Sequence, residues 1–149
     1  MTLSNRQKMA LVISLAIFFV ALDRLGKILA LRFWTEQPLA LASYFKLDFY
    51  LNRQLAFSLP LTAWPVILLT TILLVVLLVW TIKLIKKNRL EKAGWAAAVW
   101  LAAASNLFDR LFYGGVIDYL NLKYFTVFNL ADAIICLGLA GLALKKLRS

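Results

Sequence analysis

Leu61–Trp80 reads LTAWPVILLTTILLVVLLVW and lies inside a charge-free run from Gln54 to Ile82. About 20 apolar residues rising 1.5 Å each cover the roughly 30 Å hydrocarbon core of a bilayer, so this stretch predicts a transmembrane helix. Working outward, Met9–Leu22 carries no charge, Ala93–Phe108 is apolar, and Tyr124–Leu144 is interrupted only by Asp132. The chain is 63% hydrophobic, where a soluble domain is expected near 45–50%. The expected architecture is an all-α membrane protein, one domain over residues 1–149, with four transmembrane helices near 9–31, 61–84, 92–112 and 128–146. Arg6 and Lys8 precede the first apolar run as they would in a signal peptide. No small-x-small cleavage pattern follows, so the first span is expected to be permanent.

The net charge of +10 is distributed by topology. Ten cations, among them Arg6, Lys8, the cluster Lys83–Lys92 and the C-terminal Lys145, Lys146 and Arg148, share one side with a single acid, Glu91. Seven cations stand on the other side against six acids. The positive-inside rule makes the basic side cytoplasmic, and an even number of spans puts both termini there. Charge arranged this way excludes nucleic acid as the partner it would otherwise suggest.

The connection before the second span is too long for a turn. Tyr44–Ser58 (YFKLDFYLNRQLAFS) alternates apolar with polar residues, so a small β cradle near 40–60 is expected on the outer surface. The second outer connection carries Gly114-Gly115 and then the strand-like VIDYLNLKYFTVF, 116–128. Trp34, Tyr44, Tyr50, Tyr113, Tyr119 and Tyr124 fall near these outer ends, where interfacial aromatics belong. Cys136, the only cysteine, is expected to be a small packing residue and excludes an internal disulfide.

There is no histidine, which removes zinc HExxH sites, Ser-His-Asp triads and most imidazole chemistry. No glycine-rich phosphate loop is present, and no metal or organic cofactor is implied. What remains is carboxylate chemistry or a Ser-Lys dyad. Lys27 is the lysine placed for such a dyad, but it stands four residues after Asp23 on a helix and reads better as that residue's ion-pair partner. Asp23, Asp109, Asp118 and Asp132 lie in or beside apolar spans, where a carboxylate costs about 2.5–3.5 kcal/mol at a helix centre. Asn106, Asp109 and Arg110 share one helical face by their i, i+3, i+4 spacing, as do Asn129 and Asp132. Asp118 and Asp132 can therefore meet near the outer interface. Two close carboxylates do not both ionise readily, so one keeps a proton while the other activates water, which is the logic of aspartic proteolysis. Spacing alone leaves two alternatives open: purely structural ion pairs with Arg24, Lys27 and Arg110, and an ion or proton pathway.

Asp23-Arg24-Leu25-Gly26-Lys27, Asn52 with Ala56-Phe57-Ser58, Asn106-Leu107-Phe108-Asp109-Arg110, Gly115-Val116-Ile117-Asp118-Tyr119 and Phe128-Asn129-Leu130-Ala131-Asp132 follow one another in an order that resembles the lipoprotein signal peptidases (signal peptidase II). The resemblance covers essentially the whole chain. It implies an integral aspartic endopeptidase of the bacterial inner membrane, working as a monomer with its active site near the outer face. The implied substrate is a prolipoprotein cut before its diacylglyceryl-cysteine, with membrane lipid as the other partner. It implies Asp118 and Asp132 as the catalytic pair, with Asp109 the alternative to Asp118 and otherwise an orienting residue. Asn106, Arg110 and Asn129 then support the pair or hold substrate, Asp23 and Lys27 match a first-helix pair, and Asn52 matches a substrate contact. Gly26 stands where the family usually has Ser or Thr, and Gln54 where it has Gly. Ala103, Ala104 and Ser105 replace glycines, and the Asp118–Asp132 connection is short. A catalytically inactive lipid-binding or assembly protein, or a small ion-coupled transporter, is the remaining alternative.

Overall fold

The computed structural model describes residues 3–53 and 63–147. Helices occupy each expected apolar stretch: α1 (Asn5–Phe33), α2 (Ala63–Lys86), α3 (Leu90–Tyr113) and α4 (Leu130–Leu147). Four strands complete the mostly helical fold: β1 (Leu39–Ala42), β2 (Phe45–Asn52), β3 (Val116–Leu122) and β4 (Val127–Phe128). They form one antiparallel sheet in the order β1-β2-β3-β4. The sheet thus joins the two connections whose apolar–polar alternation predicted strands, and it sits at one end of the helices. Gln54 and Ala56–Ser58 lie outside the described residues.

Among the described residues, two helices are long and apolar enough to cross a membrane, α1 and the Trp64–Lys86 portion of α2. α2 turns an apolar surface outward, with Leu68, Ile72 and Val76 all exposed. Its threonines return their hydroxyls to carbonyls four residues back, at 2.7–2.8 Å for Thr70, Thr71 and Thr81. Pro65 falls in the first turn, where no helical hydrogen bond is lost.

α3 is less hydropathic for a physical reason. It packs against α1, α2 and α4, and its buried face is built of Ala93, Gly94, Ala96, Ala98 and Ala102. Small residues let helix backbones approach, so this helix faces protein more than its surroundings. α4 completes the fit through Gly138 and Gly141, whose absent Cβ atoms would lie 2.4 Å from Val99 and 2.6 Å from the Trp95 ring. A Lys8–Glu91 ion pair of 2.7 Å ties the start of α1 to the start of α3. Between α2 and α3 the chain reverses through Asn88 at φ 54°, with Arg89 N–H on the Leu84 carbonyl and Asn88 N–H on that of Ile85. That is a Schellman closure with Asn at the left-handed position.

Candidate active site

The site is assembled at the sheet end of the bundle, beginning with a charge cluster between α1 and α3. Asp23 and Lys27 are one helical turn apart and both fully buried. Lys27 Nζ lies 2.9 Å from Asp23, 2.7 Å from Asp109 and 2.8 Å from Asn106 Oδ1, so each of its three protons has an acceptor. Asp109 also pairs with Arg24 and accepts from the Ile117 N–H at 3.3 Å, which anchors β3 to α3. Ions taken out of water persist only when paired and hydrogen-bonded on every side. No described buried side-chain N or O lacks a partner.

The second part is the N-terminus of α4. Asn129 Oδ1 accepts from the Asp132 N–H at 2.9 Å, and Asp132 Oδ2 accepts from the Asn129 N–H at 3.3 Å. This reciprocal cap fixes Asp132 in the first turn. Its other oxygen, Oδ1, accepts from Asn106 Nδ2 at 2.8 Å. Lys27 holds the oxygen of that same amide, so Lys27 determines which end of Asn106 faces Asp132.

β3 contributes Asp118, which is 1% exposed. Asn129 Nδ2 donates to Asp118 Oδ1 at 2.6 Å and Asn52 Nδ2 to Oδ2 at 3.1 Å. Asn52 reaches it because β2 opposes β3 with Asn52 on Val116 and Tyr50 on Asp118, which makes Asn52 and Asp118 diagonal neighbours. One amide, Asn129, therefore binds the backbone of one aspartate and the side chain of the other. Burial pushes the Asp118 carboxyl up to about 7; the Asp132 charge adds to this, and the Asn52 and Asn129 hydrogen bonds oppose it. Arg110, half-buried, feels the fields of Asp132, Asp118 and Asp109 and lines a cleft with Arg53, Val66, Ile67 and Gly114.

The nine residues singled out from sequence thus come together at one end of the molecule, in two linked groups. Asp118, Asp132, Asn52, Asn106 and Asn129 form the carboxylate-and-amide group, which Arg110 faces; Asp23, Lys27 and Asp109 form the charge cluster behind it. Asp109 has its oxygens occupied by Lys27, Arg24 and a backbone N–H, as an orienting ion pair requires. Two expectations need correction. Tyr119 is not an interfacial aromatic: it is 4% exposed, with its hydroxyl on Asp23, because its register in β3 turns it toward α1. Cys136 is exposed on α4 and so is not a packing residue. Sequence reasoning also missed Ser105, whose hydroxyl donates to Asp23 at 3.2 Å, and it named Arg24 as an ion-pair partner without singling out Asp109 as its acid. No local pattern marks contacts between positions more than 80 residues apart.

Comparison with known proteins identifies the family. The family model described as Signal peptidase (SPase) II matches residues 15–148. A lipoprotein signal peptidase of Francisella tularensis subsp. mediasiatica (strain FSC147) is 35% identical over 134 residues, covering 83% of each chain. One from Clostridium novyi (strain NT) is 29% identical over 140 residues, covering 89% of this chain and 94% of its own. In three dimensions the fold is similar to a bacterial membrane enzyme solved by the in meso method at 2.3 Å resolution. That match has a TM-score of 0.77 at 18% identity and covers 93% of this chain and 88% of the other. A second such enzyme, at 1.9 Å resolution, gives 0.74 at 18% identity with 94% of both chains covered. With the matched family spanning nearly the whole sequence, and apolar helices to hold it in a bacterial membrane, the chain belongs to the signal peptidase II family.

Proposed function

We propose that this chain is an aspartic endopeptidase that removes the signal peptide from diacylglyceryl-modified prolipoproteins, cutting before the lipid-modified cysteine. The observation that carries the proposal is the Asn129 bridge, which joins buried Asp118 to half-buried Asp132, close enough for the charge of one to act on the other. Asp118 keeps the proton and polarises the scissile carbonyl; ionised Asp132 takes a proton from water, whose oxygen attacks the carbonyl carbon. The tetrahedral intermediate collapses as the proton on Asp132 passes to the leaving amine, and Asp118 recovers its own. Asn52, Asn106 and Asn129 hold the pair, while Arg110 faces substrate in the cleft. No metal or organic cofactor takes part.

In this proposal all four helices cross the inner membrane as one domain, with both termini cytoplasmic and the sheet at the outer face. The lipid tails of the substrate stay in the bilayer while the scissile bond meets the carboxylates at its edge, and the chain works as a monomer. Asp23, Asp109, Asp118 and Asp132 gather at one end of the bundle, which supports this function over an ion pathway through it.

The test is a gel-shift cleavage assay in detergent on a diacylglyceryl-modified prolipoprotein, comparing wild type with Asp118→Asn and Asp132→Asn. The expected result is cleavage by wild type and a loss of at least about 100-fold in either variant. Turnover retained by either folded variant would refute the assignment. Inactivity of all three, properly folded, would favour a lipid-binding or assembly protein.

A further inference from the structure

Two backbone N–H groups at the start of α4 point into the buried side of the site, and each meets a different side chain. Asn129 takes that of Asp132 at 2.9 Å. Asp23 Oδ1, from α1, takes that of Ala131 at 3.2 Å. The Tyr119 phenol, from β3, donates to that same Asp23 Oδ1 at 3.4 Å, so it steadies the carboxylate that holds the Ala131 amide. Such amides have no partner within their own helix and need one when water is excluded. Ala131 and Asn129 are both fully buried.

Gly26 shows that the phenol position is specific. A Cβ there would stand 2.5 Å from Tyr119 Cζ and 2.8 Å from its hydroxyl oxygen, closer than side chains tolerate. The missing methyl group on α1 is the space the phenol occupies. Trp34 also packs against the ring, with centroids 6.5 Å apart.

We propose that Tyr119 is a positioning residue for Asp132, acting through Asp23 and the first turn of α4, and that Gly26 is the matching half of the device. The inference rests on the peptidase assignment above for its effect on cleavage, but the cap itself can be read without cleavage. Burial, together with the Asp23 charge, holds the Tyr119 phenol well above its ordinary value, so it remains a proton donor throughout the working pH range.

The experiment uses Tyr119→Phe, Tyr119→Leu, Gly26→Ser and the double variant Gly26→Ser/Tyr119→Leu, each purified whole in detergent. The Cβ of a serine at 26 would lie beside the present phenol oxygen. Its hydroxyl, one bond further out, can therefore take that oxygen's place once the ring is gone. Tyr119→Phe should lower kcat roughly tenfold, the effect of one lost hydrogen bond, with KM within about twofold. Gly26→Ser alone, which collides with the ring, and Tyr119→Leu alone should be impaired at least as much. The double variant should regain kcat to within about threefold of wild type.

Hydrogen–deuterium exchange over residues 129–133 reports the cap directly: faster in Tyr119→Phe and restored in the double variant. A wild-type kcat in Tyr119→Phe, or a folded double variant no better than Tyr119→Leu, would overturn the proposal. Unchanged exchange in Tyr119→Phe would overturn it whether or not the protein cleaves. Altered exchange in a wild-type-inert protein would instead count against the peptidase assignment and leave the cap standing.

Discussion

Asp118 accepts hydrogen bonds from two side-chain amides and yet is held near 7, because burial and the charge of Asp132 outweigh them. The sign of the resulting pH dependence follows from the role proposed for it. Below about 7 the carboxyl keeps the proton it needs to polarise a carbonyl; above about 7 it loses it. The kcat/KM measured against pH should therefore fall on the alkaline side with an apparent pKa near 7, by about tenfold per pH unit beyond it. A rate that rises through pH 6–8 would mean that the ionised form of Asp118 is required. At this scale much was legible. Carboxylates in apolar spans are costly enough to be noticed, and the spacing of Asn106, Asp109 and Arg110 declares a shared face. Tyr119 was misplaced because a tyrosine near a span end looks the same whether it faces the interface or a buried carboxylate. Only its register on β3 separates the two.

Among elements, two adjacent glycines between α3 and β3 do different work. Gly114 ends α3 at φ 73°, and a Cβ there would have nothing within 4 Å, so backbone conformation is chiefly at stake. Gly115 is needed for close approach, since a Cβ would lie 2.8 Å from the Asn52 carbonyl oxygen. Gly114→Ala should cost about 1 kcal/mol of stability and, although Gly114 lines the cleft, lower activity much less than the change at 115. Gly115→Ala should push β2 away, move Asn52 off Asp118 and lower kcat/KM by about tenfold or more. Thermal unfolding and cleavage rates on the two variants separate these outcomes, and equal effects of both on activity would contradict the account. The strands of both connections were legible from alternation, and the four helices from apolar length. The α4 cap was also within reach, because Asn-x-x-Asp ahead of an apolar run has the form of a capping box. Its second use, holding Asp118 through the same Asn129 amide, involves another element and has no local signature.

For the whole molecule, the proposed topology puts the basic α2–α3 turn on the cytoplasmic side and the β3–β4 turn on the outer side. With Cys136 replaced by Ser, Tyr124→Cys should react with a membrane-impermeant maleimide in intact spheroplasts, since Tyr124 is 86% exposed. Lys87→Cys should react only after the membrane is opened. The reverse pattern would invert the topology and place the carboxylates on the wrong face for exported substrates. The sequence by itself determined the apolar stretches, the asymmetry of charge and the faces on which the acids lie, because these are periodicities and sums along one chain. Only the tertiary structure decided which groups meet. Lys27 satisfies Asp23, Asp109 and Asn106 together, Tyr119 turns inward against Gly26, and Asp23 caps a helix 108 residues away. Each of these pairings is set by the loss of water at the junction of helices and sheet, where every buried charge and amide must find a partner. That requirement comes into force only when distant segments pack.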